Sequence, residues 1–481
     1  MRDGRGRKAV GMQQATGAGA GETTRSKKSM MVMILACSFL ASFAQTMVNI
    51  ALPDVADHFG VTLSMANWLI VGYTVVAATS ITLEAFLLNR FGLRRVFFVG
   101  TGAIALGSAL ALVAPDFPTL VGCRLVQAVG TGLFYPTATS VLTTISPKRL
   151  LGVRLALNSG AIAVGLAVAP VVSGLVLTFF GWRAMFVVPC ALAAALMAVG
   201  FSRMHDVRPR QSEKVDLLSA VLSLVGLGAL VYGLGEITHD FFPAMAGLFV
   251  GAVVIALFVH RQLKRPNPLL NLRPLAHPRF TIGIGLNMLG AMVSFSLSVL
   301  LPLYYEGAQG LTAFFAGALL LGPVLVNAGF LFTGGKVYDR WGIWPLVPGG
   351  FALAVVGLTG VVLAAGGRVT WVVVLASVAA YAGLGFVTAP SKTAGLAQLP
   401  SEMLPHGAAI NSTFVQIANA VGSALFVGIL SSDVLHDTAA GLSKSAAYAA
   451  GFADTMMIAI GIAVAAGALA FFYARALHKK R

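Results

Sequence analysis

The stretch Gly335–Gly342, GKVYDRWG, is a short charged segment between two long apolar runs, and a similar stretch occurs upstream as Ala85–Gly92, AFLLNRFG. When the two are superposed, Arg90 aligns with Arg340 and Gly92 with Gly342. Two copies of a charged, glycine-flanked turn in corresponding places predict a chain built from two related halves.

The composition predicts a polytopic membrane protein. Of the 481 residues, 57% are hydrophobic and only 10% are charged, and the mean hydropathy is +0.86. A soluble protein of this length could not solvate such a surface. Cys37, Cys123 and Cys190 lie within apolar runs without C-x-x-C pairing, so we expect neither a disulfide framework nor a metal site. No nucleophile elbow, P-loop or H-E-x-x-H occurs, so the sequence favours neither an enzyme nor a cofactor.

Apolar runs of about 20 residues, the length that crosses a bilayer, divide the chain into segments. We expect a disordered basic tail over 1–28, a six-helix bundle over 29–203, a linker with two helices over 204–267, a second six-helix bundle over 268–474 and a basic tail over 475–481. The fourteen predicted spans are 29–50, 66–89, 95–114, 118–143, 153–180, 183–203, 217–236, 242–260, 280–304, 312–334, 345–366, 370–395, 406–430 and 452–474.

The distribution of positive charge predicts the orientation. On this topology 28 of the 33 Lys and Arg residues fall on the side of the two termini, only Arg183, Arg368 and Lys444 fall on the other, and the remaining two, Arg124 and Lys392, lie within spans. The positive-inside rule therefore places both termini in the cytoplasm of a cell (plasma or inner) membrane. The net charge of +16 then indicates contact with anionic lipid headgroups and not with nucleic acid.

Short motifs in the first two spans resemble a known family. Span 1 ends in TMVNIALP, Thr46–Pro53, and span 2 carries W-x4-Y at Trp68 and Tyr73. With the repeated loop, which resembles the signature G-x-L-x-D-R-x-G, these features are similar to the fourteen-helix drug:proton antiporter branch of the major facilitator superfamily. The resemblance implies an all-α fold of two six-helix bundles plus two intervening helices, which moves small molecules by rocking the bundles about a midplane site.

Span 1 departs from the family pattern at the family's acidic position, which aligns with Ala44. A buried carboxylate can carry a proton and pair with a cation, and alanine can do neither. Gln45 and Asn49 lie four residues apart and share a helix face, so they could bind a substrate. Polar residues that join helices are the alternative interpretation.

The gating loops are the residues Glu84, Asn89, Arg90, Gly92, Gly335, Asp339, Arg340 and Gly342. Asn89 replaces the family's aspartate, so it can cap a helix but carries no charge. Glu84 either supplies the acidic group of this loop from a different position in the chain or is an interfacial side chain that snorkels towards the headgroups. Because Asp339 is retained, we expect gating to rest more on the second copy than on the first.

Span 4 reads RLVQAVGTGLFYP, Arg124–Pro136, similar to the family's R-x-x-Q-G-x-G. Arg124, Gln127, Thr131 and Tyr135 are spaced by three and four residues and share one face. An arginine inside a span is costly unless it meets water or a partner, so we expect Arg124 to face the central cavity. The resemblance assigns it a part in proton exchange; a structural arginine is the alternative.

Span 5 carries GLAVAPVVSG, Gly165–Gly174, similar to the antiporter motif G-x-x-x-G-P-x-x-G-G. Small residues on one face let a second helix approach closely, and Pro170 permits a bend. The resemblance implies an exporter in which Gly165, Pro170 and Gly174 seal the cytoplasm-facing bundle interface. A generic packing stripe is the alternative.

In the second half, Asn287, Asn327 and Gln416 lie in spans 9, 10 and 13, where they either line a pocket or join helices. No carboxylate falls in the middle of a span, so we expect dications to be poor substrates. The chain is thus predicted to be a monomeric exporter of small amphiphilic or hydrophobic compounds, such as a drug, antibiotic or secondary metabolite, in exchange for protons. An uncoupled facilitator, a carrier of lipid-like anions and a transport-silent sensor are the alternatives.

Overall fold

The computed structural model describes residues 28–147, 150–206, 216–237, 240–265, 268–367 and 369–478. Within these ranges, fourteen helices are long and apolar enough to cross a membrane. They are α1 Lys28–Ile50, α2 Leu63–Phe91, α3 Leu93–Leu112, α4 Phe117–Ile145, α5 Leu151–Phe180, α6 Trp182–Arg203, α7 Leu217–Glu236, α8 Phe241–Lys264, α9 Pro278–Gly307, α10 Ala313–Trp341, α11 Leu346–Gly367, α12 Thr370–Leu396, α13 Leu404–Ala439 and α14 Lys444–His478.

The number and order of the helices confirm the predicted spans, whereas several helices extend beyond the apolar runs. α14 begins eight residues before its predicted span (452–474) and continues through 475–478, which we predicted as tail. α13 likewise continues past its predicted end, 430, to Ala439. Helices continue into the interfacial region as long as their backbone bonds are satisfied, and hydropathy does not record where this stops. Of the predicted N-terminal tail, only Lys28 lies within the described residues.

The two halves repeat the same helix pairings. In the first bundle, α1–α6, α4 packs against α2 and α3, and α3 packs against α6. In the second bundle, α9–α14, the corresponding pairs are α12 with α10 and α11, and α11 with α14. The internal repeat read from the two loop motifs is therefore a repeat of tertiary structure.

Helices α7 and α8 form a hairpin beside the bundles. Close approach is possible because Gly233 of α7 lies against the backbone of Ala244 and Leu248 in α8. α7 contacts α2 of the first bundle and α13 of the second, through a small apolar cluster that includes Val71 and Ala424. The hairpin thus covers one of the seams between the bundles.

We name the end of the molecule that carries the α1–α2 and α9–α10 connections the far end, and the opposite end, where the described chain starts and finishes, the tail end. At the far end, the bundles are joined by hydrogen bonds from Asn67 Nδ2 to the Ser423 carbonyl (2.9 Å) and from the Ser64 N–H to Ser431 Oγ (3.3 Å). A large apolar core that spans both bundles surrounds these contacts. The far end is closed.

Polar side chains at the tail end are exposed even on the helices that occupy the middle of each bundle. Thr139 and Thr143 of α4, and Lys392 and Thr393 of α12, are all solvent-exposed, although α4 packs against α2, α3 and α5, and α12 against α9, α10 and α11. We interpret these positions as the walls of a cavity between the bundles that opens at the tail end.

Candidate functional site

Arg124 is fully buried in the first bundle and does not face the cavity, so our expectation for it is wrong in this conformation. Its Nε donates to the carbonyl of Leu69 in α2 (3.2 Å), and Nη1 donates to the carbonyl of Ala44 in α1 (2.8 Å) and to Gln127 Oε1 (2.7 Å). A longer contact joins Nη2 to the Gln45 carbonyl (3.4 Å). In a dry helix bundle a guanidinium N–H needs an acceptor, and three backbone carbonyls of two neighbouring helices and the Gln127 side chain accept four of these bonds.

The rest of this buried cluster is held within the first bundle. The Arg124 guanidinium lies 4.0 Å from the centroid of the Tyr73 ring, a cation–π arrangement. Gln127 donates from Nε2 to Ser108 Oγ of α3 (2.7 Å), so it points away from the second bundle. Where the family has an acidic side chain, position 44 contributes only its carbonyl, so the partners of Arg124 named here are all neutral.

An uncharged contact joins the bundles midway between the two ends. Gln45 Nε2 of α1 donates to Gln416 Oε1 of α13 (3.0 Å), and Tyr135 of α4 donates from its hydroxyl to Gln45 Oε1 (2.6 Å). Asn419 Nδ2 donates to the same Gln416 oxygen (3.3 Å). We name Gln45, Tyr135, Gln416 and Asn419 the amide bridge.

Asn49 extends this contact towards the far end. It lies one turn beyond Gln45 and donates from Nδ2 to Ser298 Oγ of α9 (3.1 Å). The predicted shared face of Gln45 and Asn49 is therefore confirmed, and it meets the second bundle. Asn49 Oδ1 and Thr413 Oγ1, one turn before Gln416, are buried without a hydrogen-bond partner among the described residues. Buried polar atoms in proteins nearly always have partners, so these two atoms are candidate contacts for a bound molecule.

Two other predicted pocket residues join helices within the second bundle in this conformation. Asn287 Nδ2 donates to Asn411 Oδ1 of α13 (2.6 Å), and Asn327 Nδ2 donates to the carbonyl of Tyr381 in α12 (2.8 Å). The helix-joining interpretation therefore describes these contacts. We did not identify Asn411 from the sequence; the signal was available, because a buried asparagine in an apolar helix needs a partner.

Glu84 is buried in α2 and accepts a hydrogen bond from Thr137 Oγ1 of α4 (2.7 Å). The interpretation as a snorkelling side chain is therefore wrong. A carboxyl group held between two helices in the tail half of a span is a candidate proton-binding site.

The first gating loop uses an acid that we did not expect. Gly92 adopts φ 82° between α2 and α3, and the Asp206 carboxylate, from the segment after α6, accepts from the Arg94 N–H in the first turn of α3 (3.0 Å). A Cβ on Gly92 would overlap this carboxylate. Asn89 lies half-buried in the last turn of α2 and is not the cap of α3. The negative charge at this helix N-terminus thus comes from a residue distant in sequence.

The second gating loop is less fully described. α10 ends at Trp341, and Gly342 follows with φ 74°. Arg340 is exposed, as is Arg90 of the first copy. The structure does not describe the side chain of Asp339 or the environment of Gly335. That gating rests more on this second loop than on the first therefore stays a prediction.

The small-residue stripe of α5 contacts both bundles. Gly165 lies against Ser42 and the Phe39 carbonyl of α1, whereas Gly174 lies against the backbone of Ala313 in α10. The Pro170 carbonyl in turn lies against Gly317 of α10. The contacts with α10 lie in the far half of α5, so the stripe closes the interface at the far end. The resemblance implied a seal at the cytoplasm-facing interface, which on the predicted orientation is the opposite end, so that expectation does not describe these contacts. Within the described ranges, no three His, Cys, Asp or Glu side chains are grouped as a metal site would require.

Comparison with known proteins identifies the family. The chain matches the model described as Major Facilitator Superfamily over residues 34–427. It is 31% identical over 407 residues to the lincomycin resistance protein LmrB of Bacillus subtilis (83% of this chain, 85% of that protein). It is 28% identical over 416 residues to the methylenomycin A resistance protein of Streptomyces coelicolor (85% and 86%).

Solved structures show the same fold. A bacterial homologue of the human lysosomal transporter Spinster, inward-facing and unoccupied, matches with a TM-score of 0.70 at 17% identity, over 95% of this chain and 98% of that chain. A D-xylose–proton symporter matches with a TM-score of 0.63 at 15% identity, over 90% and 96%. With fourteen membrane helices in two repeated bundles, this chain belongs to the Major Facilitator Superfamily.

Proposed function

We propose that the protein exports small amphiphilic or hydrophobic compounds from the cytoplasm in exchange for protons, by alternating access between its two bundles. The tail end, which carries most of the basic residues, is the cytoplasmic end by the positive-inside rule. The described conformation is then open to the cytoplasm and ready to receive a substrate for export.

The observation that carries this proposal is the amide bridge. Gln45 of the first bundle and Gln416 of the second meet at 3.0 Å, below a closed far end and above an open cavity. A site shared by the two bundles at mid-height is where alternating access requires the substrate to bind. The bridge is polar but uncharged, which suits compounds with few charges, and the relatives that confer resistance to lincomycin and methylenomycin A support efflux as the direction.

Glu84 is the group that we propose binds the exchanged proton. Its carboxyl group is buried between α2 and α4 in the tail half of the first bundle, where movement of either helix would change its access to water. Protonation removes a charge that is costly inside a bundle. Glu84 would thus replace the acid that span 1 lacks at Ala44.

A flux measurement tests the proposal. In inside-out vesicles with an acidic lumen, lincomycin and methylenomycin A, chosen because relatives are named for resistance to them, are offered from the outside. We expect the gradient to drive saturable accumulation of at least one compound, and nigericin to abolish it. Glu84→Gln should lower gradient-driven uptake at least tenfold, whereas Glu402→Gln, in the exposed segment between α12 and α13, should not.

An uncoupled facilitator is the second candidate, and one observation favours it. The four hydrogen bonds of Arg124 described above go to neutral acceptors, so no proton transfer is needed to satisfy it. Flux that equilibrates and ignores the pH gradient in the wild type would establish the facilitator and contradict exchange for protons.

A further inference from the structure

Lys392 is a positively charged residue within a membrane-spanning helix, and the packing of that helix determines which way its side chain faces. It lies in the last two turns of α12, and its side chain is solvent-exposed although α12 packs against α9, α10 and α11. Exposure of a lysine within a span means contact with either lipid or water, and contact with lipid is strongly unfavourable for an ammonium group.

The glycines of α12 show which way Lys392 points. Gly383 lies against the backbone of Gly350 and Ala354 in α11, Gly385 against α10 and Gly395 against α9. At about 100° per residue, position 392 is roughly opposite Gly383. Viewed along the axis of α12, position 392 lies between the angular positions of Gly385 and Gly395. Lys392 therefore faces away from α11 and into the gap between α9 and α10.

That gap opens towards the first bundle. On one side, α10 packs through Gly317 against the Pro170 carbonyl of α5. On the other side, α9 contacts the end of α1 through the hydrogen bond between Ser298 and Asn49. Since both helices that flank the gap meet the first bundle at the far end, the space below them at the tail end is the cavity between the bundles.

Among the described residues, none forms a hydrogen bond or an ion pair with the Lys392 ammonium group. This contrasts with Arg124, whose guanidinium is buried and hydrogen-bonded. The Glu84 carboxyl group is buried against Thr137 in the first bundle, and Glu306 lies at the far end of α9, opposite to the end that holds Lys392. Within the part of the chain that the structure describes, the cavity wall therefore presents a positive charge without an ion-pair partner below the amide bridge.

We propose that Lys392 makes the tail-end cavity an anion-binding site that holds the carboxylate, sulfonate or phosphate group of an amphiphilic substrate. This rests on the proposed function for the point that the cavity receives a substrate, and it narrows the substrate class to amphiphilic acids. The ammonium group would draw the acidic end of the molecule from the cytoplasm, and the uncharged amide bridge would meet its less polar end.

The first test measures the charge of the cavity without any substrate. In a variant whose three cysteines are replaced by serine, Thr388→Cys places a half-buried reporter one turn from Lys392. Its reaction rates with the anionic sulfonatoethyl and the cationic trimethylammonioethyl methanethiosulfonates are measured in nanodiscs. We expect Lys392→Gln to lower the anionic-to-cationic rate ratio about tenfold and Lys392→Arg to preserve it. Lys264→Gln, at the exposed end of α8, is the matched control. An unreactive reporter, or a ratio unchanged by Lys392→Gln, overturns the proposal.

The second test asks whether the charge selects a ligand. Saturable binding of dansylglycine, which carries a carboxylate, is compared with that of dansylamide, which is neutral. We expect the wild type to prefer dansylglycine about tenfold and Lys392→Gln to lose the preference. Equal binding of the two compounds to the wild type, or no saturable binding of dansylglycine, overturns the proposed anion-binding site. Neither test requires a pH gradient, so failure of proton-driven export would contradict the proposed function separately.

Discussion

At the residue scale, the membrane-embedded Arg124 is hydrogen-bonded by neutral partners alone. The family's span 1 acid is replaced by Ala44, and the backbone carbonyl of this residue accepts a bond from Arg124. Gln127 and the carbonyl of Leu69 accept two more. A guanidinium presents donors in a fixed plane that can reach several carbonyls together, which the single ammonium of lysine cannot do.

Replacement of Arg124 by lysine should therefore destabilise the first bundle. We expect Arg124→Lys to cost about 2–4 kcal/mol, because buried acceptors lose their donors, and to lower the midpoint of thermal unfolding in detergent by several degrees. Arg203→Lys, at the exposed end of α6, should stay within about 0.5 kcal/mol of the wild type. Equal midpoints for the two variants would show that the buried hydrogen bonds contribute little.

At the element scale, helix ends are organised by residues that are far apart in the sequence. The α2–α3 turn needs Gly92 for its positive φ, and the Asp206 carboxylate occupies the space beside it. At the tail end of α7, Asp216 accepts from the Ser219 N–H (3.3 Å) and forms an ion pair with Arg261 of α8 (2.9 Å). Asp216 thus caps α7 and also joins α7 to α8.

Gly92→Ala should destabilise the protein by about 1–2 kcal/mol, because alanine is strained at positive φ and its methyl group would displace Asp206 from the N-terminus of α3. Gly102→Ala is the matched control. This glycine lies inside α3 with open space around its Cα, so alanine there should be neutral or slightly stabilising. Thermal unfolding of the two variants gives the comparison; a smaller loss for Gly92→Ala than for Gly102→Ala would contradict the assigned turn.

The α7–α8 hairpin should loosen in acid. Burial raises the pKa of Asp216, but hydrogen bonds from Arg261 and Ser219 and the charge of Arg265 outweigh it, and the pKa lies below its usual value. A lowered pKa stabilises the folded state above the ordinary pKa of aspartate, about 4, and this contribution is lost as the pH falls further.

Hydrogen exchange in the first turn of α7, compared between pH 7 and pH 3, measures this effect. We expect faster exchange at pH 3 in the wild type, after correction for intrinsic rates. Asp216→Asn should show fast exchange at both pH values, whereas Glu402→Gln should behave as the wild type. A variant Asp216→Asn that is fully protected at pH 7 would show that the ion pair does not hold the hairpin.

At the scale of the whole molecule, the far end is closed by close backbone contact and the amide bridge joins the bundles beneath it. Gly174 of α5 lies against the Ala313 carbonyl of α10, and Gly317 of α10 lies against Pro170. Helix faces made of small residues separate at a small free-energy cost when the bundles rock, because few side chains interdigitate. The same contacts must re-form to prevent leakage.

A larger residue in this seam should hold the far end open. We expect Gly174→Val to lower transport at least tenfold and to raise labelling of a Ser431→Cys reporter by an impermeant maleimide several-fold, because the side chain would overlap Ala313. Ser431 marks the closed far end, where it is buried and accepts from the Ser64 N–H. Gly322→Val, in α10 with open space around it, should preserve both values. Labelling that is unchanged in Gly174→Val would place the seal elsewhere.

Much of the architecture could be predicted from the amino-acid sequence. Spans of apolar residues, the repeated loop motif and the placement of Lys and Arg predict the helix count and the two bundles, because a bilayer permits few ways of satisfying the backbone. Helical periodicity also predicted correctly that Gln45 and Asn49 share a face. The partners of buried polar groups were harder to predict: Arg124 was expected in the cavity, Glu84 was left between two interpretations, and Asp206 and Lys392 were not assigned to the site.

The sequence by itself determined the class of protein, the fourteen helices and the repeat, since local hydropathy and short motifs carry that information. Only the tertiary structure decided that Arg124 is enclosed by carbonyls, that Gln45 meets Gln416 across the interface, and that polar side chains of α4 and α12 are exposed at the tail end. The physical reason is distance along the chain. Gln45 and Gln416 lie 371 residues apart, and their contact depends on how two bundles are tilted, a choice between packings of similar free energy that no local pattern records.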